Sequence, residues 1–237
     1  MMARLAAAGV VVLIIAIMLV VVPRFARPAE GDLANGLQAE SELFAALAEH
    51  YPDDFTALID EIEAVGDKPA DVTRISTQWV TTFRLDHAND LLAAEDDALR
   101  AYITSMSLTH RAVKETFGVE RCNQYAVYGA SALGPFITNP GVLPSVNAQG
   151  AAMVVAFDSA KGRKVRPEAT EEQWAAFFED ANTSEDTQNH IDLIAAVDSS
   201  HVGYCDAMLW FLDTLTLTDG ATAEVVRASL ARTVTSG

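Results

Sequence analysis

The stretch SSHVGYCDAMLWF, residues 199–211, sets His201 and Cys205 four positions apart. On a helix such side chains share a face, so the pair could converge on one metal ion. A tetrahedral zinc site needs further ligands, which Cys122, His190 or an aspartate would have to supply. No second close ligand pair exists to pre-order such a site, so no metal and no cofactor are expected. Cys122 and Cys205 are the only cysteines, and a disulfide between them accounts for both. Closing that loop would remove denatured-state entropy worth about 4–5 kcal/mol. Two buried free thiols are the alternative.

Other candidates for chemistry fare less well. Arg121 beside Cys122 would favour a thiolate, yet neither cysteine sits in a hydrolase signature. GASALG, residues 129–134, presents Ser131, but a nucleophile elbow requires G-x-S-x-G after a strand, and here the second glycine is one residue late. RLDHANDLLAAEDD, residues 84–97, gathers Asp86, His87, Asp90, Glu95, Asp96 and Asp97 without the Glu-x-x-His motifs of di-iron bundles. It reads as a solvated acidic helix start. No phosphate-cradling glycine loop, dinucleotide fingerprint or HExxH helix occurs. KGRKVR, residues 161–166, concentrates Lys161, Arg163, Lys164 and Arg166, which could contact an anionic surface or complement a helix C-terminus.

The elements that would position these residues are helical. Leu37, Phe44, Leu47 and Ala48, then Phe55, Leu58, Ile59 and Ile62, follow helical spacing on either side of a turn at Tyr51-Pro52-Asp53. Val72, Ile75, Trp79 and Phe83 continue the pattern, although neighbouring threonines lower helix propensity. From Asp90 to Phe117 a stripe including Leu99, Ile103, Met106 and Val113 ends at Gly118, a residue suited to stop a helix. A Gly/Pro loop is expected from Gly134 to Pro144, then an apolar helix around Met153, Val154, Val155 and Phe157. Thr170 and Gln173 have capping-box spacing. Helices are expected over Thr187 to Leu215, broken near Ser199, and again after Asp219 as N-cap. No alternating run demands a sheet. The expected fold is all-α: one N-terminal transmembrane helix followed by one compact multi-helix domain.

The transmembrane expectation rests on LAAAGVVVLIIAIMLVVV, residues 5–22, eighteen residues without a charge. As a helix it would reach about 27 Å, just enough to span a bilayer. A cleaved signal peptide is the rival, but Arg24 and Arg27 fall where small residues are needed and Pro28 hinders processing. The expected organisation is a tail over residues 1–4, a signal anchor over 5–22, a juxtamembrane linker over 23–36 and an α-helical domain over 37–237. Lysine is scarce while alanine and arginine are common, a coding bias that points to a bacterial source. A short tail and anchor ahead of a large C-terminal domain is the arrangement that exports the domain, and two sparse cysteines fit that side. The expected location is therefore the bacterial inner membrane, single-pass, with a periplasmic domain.

The formal charge of −17, from 33 acidic and 16 basic residues, disfavours nucleic acid, whose phosphates require a basic face. With no catalytic constellation in view, the expectation is a non-enzymatic envelope protein. Its partners would be the membrane, through the N-terminal helix, and a protein that the domain binds or organises. The alternative is a membrane-tethered envelope enzyme, for instance a hydrolase, with a site near the Gly134 to Pro144 loop.

Overall fold

The computed structural model describes residues 32–66, 69–182 and 184–236. Among them the chain is all-α, with no strand. The first helices are α1 (Asp32–Glu40), α2 (Glu42–His50), α3 (Pro52–Val65) and α4 (Pro69–His87). A 3-10 turn (Ala88–Leu92) leads to α5 (Asp96–Phe117) and α6 (Val119–Tyr128). Two 3-10 turns, Gly129–Ala132 and Gly134–Thr138, precede α7 (Leu143–Ser159). The chain closes with α8 (Glu171–Ala181), α9 (Glu185–Ala196), α10 (Tyr204–Leu217) and α11 (Ala221–Ser236).

The apolar stripe of α5 makes it the central helix. Leu99, Ile103 and Val113 are buried on it, and it packs against α6, α7, α10 and α11. Small residues on α7, among them Gly150, Ala151, Ala152 and Ala156, let that helix approach both α2 and α5 closely, with Val154 and Phe157 fully enclosed. Ser41 does two jobs at the start of α2. Its hydroxyl caps the Phe44 N–H and donates to the Asn147 side chain on α7 at 3.3 Å. Gly118 joins α5 to α6 at φ 84°, a backbone region that side chains avoid, and so permits the reversal.

The periodicity located most of these elements. The segment from Asp90 to Phe117 divides, because Ala93–Glu95 form a turn between the 3-10 element and α5. Helix α1 takes in Asp32–Gly36, whose small residues suggest a linker, because Leu33 and Leu37 are both buried in the core. The Gly134 to Pro144 stretch is a 3-10 turn followed by the start of α7. The capping box is present, Thr170 accepting from the Gln173 N–H while the Gln173 side chain accepts from the Thr170 N–H. Thr170→Ala is expected to cost about 1 kcal/mol. Thermal melting of the variant checks this, and an unchanged midpoint would mean that α8 is held by packing alone.

Among the described residues no helix is long and apolar enough to cross a membrane. The two longest, α4 and α5, carry charges along their length, including Asp71, Arg74 and Asp86 on one and Asp97, Arg111 and Lys114 on the other. This corrects the expectation of a transmembrane signal anchor ahead of the helical domain. With it fall the membrane as partner through an N-terminal helix, the single-pass inner-membrane location with a periplasmic domain, and the envelope function, tethered enzyme included. Residues 5–22, on which that expectation rested, lie outside the described residues.

Candidate functional site

Cys122 of α6 and Cys205 of α10 are bonded to each other, with Cα atoms 5.5 Å apart. Both are wholly buried. Helix α10 starts at Tyr204, so Cys205 is helical while His201 sits in the preceding turn. The i and i+4 geometry that would aim both side chains at one ion is therefore not formed. His201 instead is exposed, its Nδ1 accepting from the Gly203 N–H at 3.1 Å. Asn123, beside the disulfide, ties this turn down: its Nδ2 donates to the His201 carbonyl at 2.9 Å and its Oδ1 accepts from the Cys205 N–H at 2.8 Å. That second bond satisfies one of the orphan donors at the start of α10. Among the described residues no group of three His, Cys, Asp or Glu side chains is placed to hold a metal ion.

The acidic stretch is in part a solvated helix start, with Asp86, Glu95 and Asp97 exposed and Asp96 and Asp97 in the first turn of α5, but His87 departs from it. His87 turns inward, its ring 4.6 Å from Phe83, 4.9 Å from Tyr51 and 5.5 Å from Phe157, while its Nδ1 lies 2.7 Å from Asp90 Oδ2. A second such pair is close by, with His50 Nδ1 2.9 Å from Asp158 Oδ2. Lys161 completes the group, its ammonium 4.1 Å from the Tyr51 ring centroid and donating to the His50 carbonyl. Burial, with Asp90, Asp158 and Asp54 around it, pushes the Tyr51 phenol well above its ordinary range, so it stays protonated. The Lys161 bond, with help from His50, holds the Asp158 carboxyl below the usual range. Imidazoles anchored through Nδ1 can in principle pass protons at Nε2. Among the described residues, however, no serine or cysteine side chain is bonded to either ring, and the aromatic enclosure of His87 is that of a packed group. Ser131 donates to the Tyr128 carbonyl, which closes its own turn.

The basic run is largely spent on the protein itself. Arg163 donates to the Ala93 carbonyl and to Glu95, and Arg166 to the Ala94 carbonyl. The Arg166 N–H bonds the Leu92 carbonyl at 3.0 Å. Together they satisfy the turn that links the 3-10 element to α5. Among the described residues Lys164 is the member of the run with no polar contact.

One surface feature was not legible as a site. Thr104, Ser107, Leu108 and Arg111 of α5 and Asp213, Thr216 and Leu217 of α10 line a shallow cleft of about 190 Å³. Leu108 and Leu217 stand 54% and 79% exposed at it. Asp213 fixes one side, accepting from Ser107 at 2.7 Å and pairing with Arg111. The leucines occur on otherwise ordinary helical stretches, and only the crossing of α5 with α10 brings them together. No family model, curated protein or solved structure matches this chain.

Proposed function

We propose that the chain is a non-enzymatic helical domain that takes an apolar side chain of another molecule into the cleft between α5 and α10. The observation that carries this reading is the pair of exposed leucines, Leu108 and Leu217, at one concave place with a polar border from Ser107, Arg111 and Asp213. An apolar centre with a polar rim is the anatomy of a recognition surface, and single buried anchors supply most of the energy of such contacts. Leaving two large leucines in water gains the fold nothing, whereas covering them removes apolar area at about 25 cal/mol per Å². The disulfide and the Asn123 bonds support the same reading, because they hold one end of α10 against α6 and so keep the cleft's shape before anything binds.

Photo-crosslinking in cells tests it. A photoreactive residue at Leu108 or Leu217 should give a discrete adduct, one at exposed Val165 should not, and Leu217→Asp should suppress the Leu108 adduct. Being exposed, Leu217→Asp should shift stability by less than about 0.5 kcal/mol. Equal labelling from Val165, or turnover in a hydrolase screen that vanishes with His87→Ala, would reject the reading.

A further inference from the structure

Among the described residues two arginine side chains, Arg84 and Arg227, are almost completely buried, and they are treated in opposite ways. Arg227 on α11 has both oxygens of Asp96 and two backbone carbonyls. Arg84 on α4, only 2% exposed, has its Nε and Nη1 enclosed with no hydrogen-bond partner. No carboxylate among the described residues pairs with it. A guanidinium remains protonated even where burial lowers its pKa, as it does here. The ionisable group acting on its charge is Tyr102 of α5, but burial raises that phenol's pKa and keeps it neutral. The Tyr102 hydroxyl already shares a 3.2 Å hydrogen bond with Thr235 of α11. An isolated cation in a low-dielectric interior costs several kcal/mol, and neutral hydroxyls supply dipoles without removing the charge.

We propose that the Arg84 guanidinium is the receptor of a small monovalent anion of chloride size, held inside the domain where α4 packs against α11. One positive charge asks for one negative charge, since a divalent ion would leave a buried surplus of the opposite sign. The neighbourhood asks for a small one. Val80 and Ser76, one and two turns back on the same face of α4, are buried, as are Tyr102 and Thr235. The Tyr102 and Thr235 hydroxyls offer further donors that can turn toward an anion.

The test compares the full-length chain in sodium chloride or bromide with sodium gluconate at equal ionic strength, gluconate being far larger than a halide. Melting should rise in the halide salts and saturate, the folded-to-unfolded ratio growing about 100-fold at 100 times the dissociation constant. In Arg84→Met the difference between salts should vanish. Equal melting of the parent chain in halide and gluconate would overturn the proposal, as would a difference that Arg84→Met retains. Should Arg84→Met fail to fold, bromide-grown crystals of the parent chain decide. An anomalous peak in contact with Arg84 Nε or Nη1 supports the site, and its absence there overturns it.

Discussion

Asp96→Ala is expected to cost about 3–5 kcal/mol of folding stability, measured from urea unfolding midpoints, because it strips the charge partner from a buried arginine. Arg227 is 0% exposed and lies across both oxygens of Asp96, at 2.7 and 2.8 Å. Arg100, at 2.8 Å, binds the same carboxylate from one turn along α5. The two arginines also gather the end of α10: Arg227 donates to the Leu215 and Thr218 carbonyls, and Arg100 to those of Thr216 and Thr218. Those carbonyls have no intrahelical partner and carry the negative end of the helix dipole. One carboxylate therefore positions two cations that cap a third element. Arg100→Ala, which leaves Arg227 with its carboxylate, should cost markedly less. Equal losses in the two variants would contradict this division.

The same network predicts how the fold responds to acid. Burial alone would raise the Asp96 carboxyl, but the bonds from Arg227 and Arg100 outweigh it and hold the group below its ordinary value. A carboxyl depressed in the fold contributes stability that is complete above its unfolded pKa and is lost as pH falls through its folded one, here below about pH 4. His110 acts in a different window. It is buried, and that burial lowers its pKa to about 4, the Nδ1 bond to the Met106 carbonyl opposing the change in part. The unfolded chain protonates this imidazole near pH 6.5, so the fold loses about 3 kcal/mol between there and pH 4. Stability should thus decline in two stages. Asp96→Asn should remove the lower stage and leave the upper, and His110→Phe the reverse.

What the sequence revealed divides by the range of the interaction. Apolar spacing marks α3 and α5 because a helix face is written within a dozen residues, and α7 shows as a run with little polar face. Thr170 with Gln173, and Gly118 as a stop, are equally local. The disulfide was legible for another reason, since two cysteines allow one intramolecular pairing. Long-range pairing was not. Nothing near Asp96 or Asp219 points to arginines more than a hundred positions away, and Asp219, a plausible N-cap by its type, is bound by Arg100 while the first α11 bond goes to the Gly220 carbonyl. His87 misleads for the same reason. Its acidic neighbours suggest water, whereas Tyr51 from the α2–α3 junction and Phe157 from α7 join Phe83, one turn back on the same helix, around its ring. The interval between His201 and Cys205 fits a helix, yet Gly203 lies inside it and the helix begins after that glycine. Hydropathy alone named residues 5–22 a membrane span, and no helix of the described residues repeats that character. The α5–α10 cleft, made by two helices crossing, has no signature in either one.

Breaking the Cys122–Cys205 bond is the other large effect. Cys122→Ala with Cys205→Ala, or reduction of the parent chain, should lower stability by about 2–5 kcal/mol and the melting temperature by about 5–15 °C. The bond closes a chain separation of 83 residues, so its loss greatly enlarges the unfolded ensemble. In the folded state it fastens α6 to α10, with Asn123 bridging the same two helices one residue along. That neighbour lets the two contributions be separated. Asn123→Ala leaves the bond intact but strands the buried Cys205 N–H, at a cost of about 1–3 kcal/mol that reductant should not mask. Reductant should destabilise the parent and Asn123→Ala chains, and leave the double alanine variant untouched. A parent chain indifferent to reductant, with thiol labelling proving the bond open, would mean that packing of α6 on α10 carries the corner by itself. The expected opposite result would show that the cross-link fixes α10, and with it one wall of the cleft that displays Leu217 beside Leu108.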